Sequence, residues 1–313
     1  MNINEFYEKF YRIRRIEQVI AEIYPTDLIK SPIHLSTGQE GPSLAVCYNL
    51  LKNDIAFGTY RGHALYLAKG GSLKKMFAEL FGKIDGVARG KGGSMHLIEN
   101  SVNMAGTSAI VSSAISEAVG YALALKMNKN KKHIVVCFFG DGATNQGVFF
   151  ESLNFASLKK LPILFVCENN DLAIHSKVSD RSVQNKHYKF AEVFNIKSKL
   201  YIDDNIIKLN QDLKKDINQV RKLQKPIFVE IKTNRWLEHV GPNEDWYMGY
   251  RSKKNLNNFL KDDPLKKLEK KINKNLKIHI YEKVENEIKQ AIRFAKKSKF
   301  PNKNEVFKHV FKK

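Results

Sequence analysis

The residues best suited by type and spacing to do chemistry lie between positions 133 and 170. His133 to Phe139 (HIVVCFF) is a continuous apolar, β-branched run of strand length, as expected of a parallel strand buried on both faces. Gly140-Asp141-Gly142 ends it. Apolar residues then recur at helical spacing from Gln146 to Lys160, and Pro162 closes that helix before a second strand, Ile163 to Cys167, which stops at Glu168-Asn169-Asn170. In such a β-α-β unit both strands end on the same sheet edge, so Asp141 and Asn170 should converge although 29 positions separate them.

The chemistry of that pair is restricted. A dinucleotide fingerprint is excluded, because its third glycine would fall where the chain has Asn145. A carboxylate between two glycines repels a bare diphosphate, so a phosphate bound here needs a divalent cation as a bridge. Asp141 with an Asn amide oxygen is a hard-oxygen pair suited to Mg²⁺. Alone, each residue reads equally well as a capped Asp or a turn-forming Asn. Their joint placement favours a site.

Three further loops set polar side chains beside glycines. HLSTGQE (34 to 40) and FGTYRGHALYL (57 to 67) offer His, Arg and Tyr where backbone can approach a ligand closely. The densest glycine cluster, GVARGKGGSMH (86 to 96), is not a Walker A loop: Gly86 and Gly90 enclose three residues rather than four, and Lys91 precedes Gly92 instead of Ser or Thr. Cys47, Cys137 and Cys167 each sit in an apolar run without CxxC spacing, as buried thiols of a reduced compartment would.

The elements that must position these loops read as an α/β fold. Helices are expected over 4 to 24, ending at Tyr24-Pro25, over 41 to 51, and over 72 to 81 with Ser72 as N-cap; Ser112 to Met127 reads as a buried helix. The chain of 313 residues carries a formal charge of +21. Residues 251–313 hold 20 Lys/Arg against 7 Asp/Glu, net +13, with Leu265, Leu268, Ile272, Leu276, Val284, Ile288, Ile292 and Ala295 at helical spacing. The expected organisation is an α/β domain over 1–250 and a basic helical extension over 251–313 packed on it. The basic tail opens a nucleic-acid-binding reading, but no helix-turn-helix, zinc-finger, bZIP or RNA-recognition signature accompanies it, and a solvated helix face explains the lysines. No apolar stretch reaches the roughly 18 residues of a membrane span, and the amphipathic start is no secretory signal, so a cytoplasmic protein is expected.

GDG followed, after a helix and a strand, by NN is similar to the thiamine diphosphate and magnesium signature. Together with HLSTGQE, TYRGHALYLAKG and GKGGSMH upstream, and flanked by the YRIRRIEQ helix, DPLKKL and NEVFKHVF, it resembles the α subunit of the decarboxylating first component of 2-oxo acid dehydrogenase complexes, of the pyruvate and acetoin dehydrogenase type. The resemblance implies a thiamine diphosphate-binding fold with a mostly parallel central sheet flanked by helices. It implies Mg²⁺ held by Asp141, Asn170 and the main-chain oxygen of Leu172, and a diphosphate held by Tyr60, Arg61 and His239 with backbone N–H groups of Gly142 and Ala143. Ala109 and Val111 match positions that meet the aminopyrimidine, while His34 and His63 match residues at the substrate end, with His239 beside them.

The activity implied is decarboxylation of a 2-oxo acid and transfer of the acyl group to a lipoyl arm on a second protein, an acyltransferase. A β subunit supplies the glutamate that activates the cofactor, so the chain is expected to work only as an α₂β₂ heterotetramer. A two-chain carboligase or transketolase-like enzyme would use the same Asp141 and Asn170. The chain departs from the pattern at Leu172, where an aromatic residue is usual, and after His239, where Val240-Gly241-Pro242-Asn243-Glu244-Asp245 replaces the Ser-x-Ser-Asp of phosphorylated relatives. Kinase control of that type is not expected. The AIHS run at 173 to 176 also differs near the expected active-site entrance.

Overall fold

The apolar runs 133–139 and 163–167 both form strands in the computed structural model, which describes residues 1–311; the last two residues of the 251–313 extension lie outside the described residues. The strands are β1 (Ile55–Thr59), β2 (Met104–Ser108), β3 (Val135–Gly140), β4 (Ile163–Asn169), β5 (Leu172–Ala173), β6 (Ser176–Lys177), β7 (Lys197–Ile202) and β8 (Ile227–Lys232). Six of them form one sheet in the order β2-β1-β3-β4-β8-β7, while β5 and β6 form a separate hairpin. Every pairing within the six-stranded sheet is parallel. The β3/β4 register sets Gly140 opposite Glu168, which brings Asp141 and Asn170 to one edge.

Alternation of side chains along the strands feeds two cores. Val136 and Phe138 of β3 face one core, and Val135, Cys137 and Phe139 face the other. The helices are α1 (Ile3–Ile23), α2 (Glu40–Cys47), α3 (His63–Ala68), α4 (Leu73–Leu80), α5 (Ser113–Met127), α6 (Gly147–Leu158), α7 (Val178–Arg181), α8 (Tyr188–Glu192), α9 (Ile206–Leu223), α10 (Lys253–Lys261), α11 (Pro264–Glu269) and α12 (Lys274–Lys297). The larger core takes α1 to α4, α9, α11 and α12; the smaller takes α5, α6 and α8. The fold is the expected α/β arrangement, a parallel central sheet flanked by helices with a helical C-terminal region.

Capping chemistry sets several boundaries. Asn2 accepts from the N–H groups of Asn4 and Glu5 at the start of α1, and Ser72 caps α4 as expected. The helix expected over 41 to 51 is shorter, because residues 48 to 50 continue as turns after Cys47. The helix expected to be buried, α5, buries Ile115, Ala118 and Ala122 but leaves Tyr121 and Met127 exposed, so it has one unpartnered face.

In the C-terminal region α12 buries Ile280, Val284, Ile288, Ala291 and Ala295 against α4 and α1. Two of its acids reach α1: Glu287 pairs with Arg12 at 2.7 Å and Glu285 with Arg15. That pairing leaves the lysines on the solvent side. No helix among the described residues is long and apolar enough to cross a membrane. Cys47, Cys137 and Cys167 are free and buried, and burial pushes all three thiols upward, Cys47 to about 12.

Candidate cofactor site

The direction of winding reverses between β1 and β3, since β2 lies on one side of β1 and β3 on the other. In an open parallel sheet the crevice beyond the strand ends at such a point is where ligands bind. A cavity of about 540 Å³ lies there, lined by residues that follow β1 (Tyr60, Arg61), β2 (Ala109, Val111), β3 (Asp141, Gly142, Ala143) and β4 (Asn170, Leu172). His34 and His239 complete it from two loops. Eleven of the residues expected from sequence therefore share one cavity.

Asp141 opens a 3-10 turn, Asp141–Asn145, directly after β3. It is 1% exposed. Burial holds its carboxyl above the ordinary range, and Arg181 pulls it back down. The Arg181 guanidinium pairs with the carboxylate and donates to the Asp141 carbonyl at 3.3 Å and to Asn145 Oδ1 at 2.5 Å. Gly142 must lack a side chain, because a Cβ there would stand 2.8 Å from the Cβ of Ala173 in the β5-β6 hairpin. The hairpin turn carries Ile174 at φ 57, a left-handed conformation that is costly for a β-branched residue.

The amide of Asn170 is oriented by two bonds: Nδ2 donates to Gln39 Oε1 at 2.9 Å, and Oδ1 accepts from the N–H of Leu172 at 3.0 Å. Asp141 carboxylate, Asn170 amide oxygen and Leu172 carbonyl form a hard-oxygen donor set that fits Mg²⁺. No cluster of three or more His, Cys, Asp or Glu able to hold a metal occurs among the described residues. A cation here would thus take its remaining ligands from phosphate or water.

The opposite wall is cationic. Arg61 is buried, donating to the Leu35 carbonyl at 2.7 Å and the His239 carbonyl at 3.1 Å, with His239 Nδ1 at 3.2 Å. Burial and then Arg235 lower its pKa to about 10, which leaves it charged at neutral pH. His239 is pushed down to about 3 by burial and then by Arg61, and His34 likewise. Both imidazoles are neutral, so on this wall the positive charge comes from Arg61 at the cavity and from Arg235 behind it. Because an arginine can only donate, His239 Nδ1 must accept, and its proton sits on Nε2 as a donor. His34 packs on Tyr60 at 4.6 Å, and its buried Nδ1 has no partner within the chain, as a group awaiting a polar ligand would. Glu168, also lining the cavity, is raised to about 7 by burial and bonds Ser43.

His63, expected at the substrate end, does not reach the cavity. It is fully buried between Glu17, 2.7 Å from Nδ1, and Ser94, 2.7 Å from Nε2. The first turn of α3 places it in the interior, away from the cavity lining. The glycine cluster at 86 to 96 also has an internal explanation. Glu79 of α4 accepts from Ala88 N–H at 2.8 Å, Gly90 at 3.0 Å, Gly92 at 2.7 Å and Gly93 at 3.0 Å. Successive N–H groups make an anion nest, and here the anion is the chain's own carboxylate. Gly93 sits at φ 59 with Ser31 Cβ 2.6 Å from where a Cβ would be.

Sequence reasoning missed Arg181, Glu168, Glu79 and the role of Gln39. Gln39 and Glu168 lay inside motifs already singled out, HLSTGQE and ENN. Arg181 carried no spacing signal, since its contact depends on a hairpin turn.

Residues 8–304 match the family model described as the dehydrogenase E1 component. The chain is 32% identical to the α subunit of acetoin:2,6-dichlorophenolindophenol oxidoreductase of Bacillus subtilis, over 97% of this chain and 92% of that protein. It is 33% identical to the pyruvate dehydrogenase E1 component subunit α of Porphyra purpurea, over 97% of this chain and 91% of that one. The corresponding protein of Rickettsia bellii is 31% identical over 99% of this chain and 97% of its own length.

Proposed function

The chain belongs to the dehydrogenase E1 component family, whose members depend on thiamine diphosphate, and from that membership we propose that it is the α subunit of a 2-oxo acid dehydrogenase acting on pyruvate or a similar small 2-oxo acid. The observation that carries the reading is the meeting of Asp141, Asn170 and Leu172 with Arg61 and His239 around one cavity at the winding reversal. Asp141, Asn170 Oδ1 and the Leu172 carbonyl hold Mg²⁺. Arg61 and the Nε2 proton of His239, with Tyr60 and the N–H groups of Gly142 and Ala143, hold the diphosphate. Ala109 and Val111 border the aminopyrimidine, and neutral His34 faces the substrate end as a hydrogen-bonding group rather than a fixed charge.

When bound, thiamine diphosphate supplies the nucleophilic carbon and electron sink that 2-oxo acid decarboxylation requires. The chain's contribution is to fix the cofactor's charged end and to shield it from water. The other half of the site comes from a β subunit in an α₂β₂ assembly, and a lipoyl-bearing acyltransferase takes the acyl group. Supporting a partner, Ile110 and Val111 stand exposed at the cavity wall, and Tyr121, Met127, Phe155 and Leu158 are exposed on α5 and α6. Residues 251–313 belong with the same domain as an extension, supported by the packing of α12 on α1 and α4. Buried, unpaired thiols support a cytoplasmic location. The relatives' names favour neither sugar transfer nor nucleic-acid binding.

The test is reconstitution with the β subunit and a panel of 2-oxo acids, with and without thiamine diphosphate and Mg²⁺. Release of CO₂ should need both chains and both ligands. Decarboxylation by this chain alone would contradict the proposal.

A further inference from the structure

A carboxylate as buried as that of Asp141 needs a partner. That partner is Arg181, which reaches it from α7, the helix that follows the β5-β6 hairpin. The guanidinium is itself only partly satisfied. It bonds the Asp141 carbonyl and Asn145, but its buried Nε has no partner within the chain. Arg14, by contrast, is bracketed by the two carboxylates of Glu40 and Asp263. Arg181 therefore sits in a replaceable position, and it occupies the carboxylate that the metal reading needs.

Resting on that reading, we propose that Arg181 competes with the divalent cation for Asp141: it is the counter-ion of this carboxylate in the cofactor-free protein and leaves it when the cation and diphosphate bind. A guanidinium and a divalent cation at one buried carboxylate repel each other, more strongly than they would in water, so each weakens the other's hold on Asp141. Leu172, which supplies the carbonyl oxygen, and Arg181, which must withdraw, belong to one segment joined by the strained Ile174 turn. Metal capture and the rearrangement of α7 are thus a single event. The cost of breaking the internal pair lowers the apparent metal affinity, as any competing conformation does.

The test uses the chain co-purified with its β subunit, as wild type, Arg181→Gln and Arg181→Lys. Thiamine diphosphate uptake is followed by calorimetry across a Mg²⁺ titration, and thermal unfolding is recorded with and without both ligands. Arg181→Gln should melt lower than wild type without ligands, bind at a Mg²⁺ concentration on the order of tenfold lower, and melt with the wild type when saturated. Arg181→Lys should fall between, and it keeps the test readable if the Gln variant does not fold. Weaker binding by Arg181→Gln would overturn the proposal by making the guanidinium a diphosphate ligand. Equal melting losses with and without ligands would overturn it by leaving only a structural role. If the wild type shows no metal-dependent uptake, the cofactor reading fails and the proposal with it; if it does and the Gln variant is no tighter, the proposal alone fails.

Discussion

The Glu79 carboxylate accepts four main-chain N–H groups from the 88 to 93 loop, whereas the Asp141 carboxylate, equally buried, meets the side chain of Arg181 at the wall of a cavity. Both lie beside glycine-bearing turns, and from sequence the first looked the richer in phosphate-loop features. The difference is that the chain fills the first nest with its own anion and ties it to fixed backbone. At the second it offers oxygen donors, a charged Arg61 and a partnerless His34 nitrogen to something else. Glycine density therefore marks where backbone comes close.

The largest effect expected from this contrast is on stability. Glu79→Ala leaves four partly buried N–H groups without their acceptor and should cost at least about 3 kcal/mol in urea unfolding. Asp141→Asn should cost less than Glu79→Ala, because an amide oxygen still accepts from Arg181, whose guanidinium also keeps its bonds to the Asp141 carbonyl and to Asn145 Oδ1. Similar costs for the two would erase the distinction.

Histidines sharpen it next. His63→Ala should lose about 2 kcal/mol of stability through its Glu17 and Ser94 partners, yet leave metal-dependent cofactor uptake in place. His239→Ala should do the reverse. Uptake lost in the His63 variant would return that residue to the site.

A pH series probes the same divide. His34 and His239 have pKa values depressed to about 3, below the ordinary 6.5, so the stability they contribute is present above pH 6.5 and lost as pH falls from 6.5 toward 3. A His34→Asn/His239→Asn double variant should show a flatter decline over that window in denaturant titrations; an unchanged slope would show that neither resists protonation. The smallest change is expected from Ser94→Ala, which deletes one hydrogen bond to His63 and should cost about 1 kcal/mol.

Much of the site was legible because strand ends are legible. HIVVCFF and ILFVC announce parallel neighbours, and the residues just beyond each strand must share an edge, which is how Asp141 and Asn170 were paired. The resemblance supplied Arg61, His239 and the wall residues, which no spacing rule joins. His34 and His63 were not separable in sequence, since both sit beside glycine-bearing loops. Their fates diverge because α3 begins at His63 and turns it toward Glu17 of α1. Glu79 looked like the polar face of a short helix, since the loop it satisfies lies further along the chain and closes over α4 only on folding. Arg181 was invisible for the same reason at longer range: a two-residue turn at 174 and 175 folds it back 40 positions onto Asp141. Charge misled most. Of the tail's acids, Asp263, Glu285 and Glu287 pair with arginines of α1, while most of its lysines are exposed.

The most direct test of the account is a calorimetric titration of thiamine diphosphate into the α and β pair with Mg²⁺ present or absent, for wild type and Asp141→Asn. Saturable binding by the wild type only when Mg²⁺ is present, and none by a folded Asp141→Asn protein, is the result the account predicts. Metal-dependent binding of undiminished affinity in Asp141→Asn would contradict it.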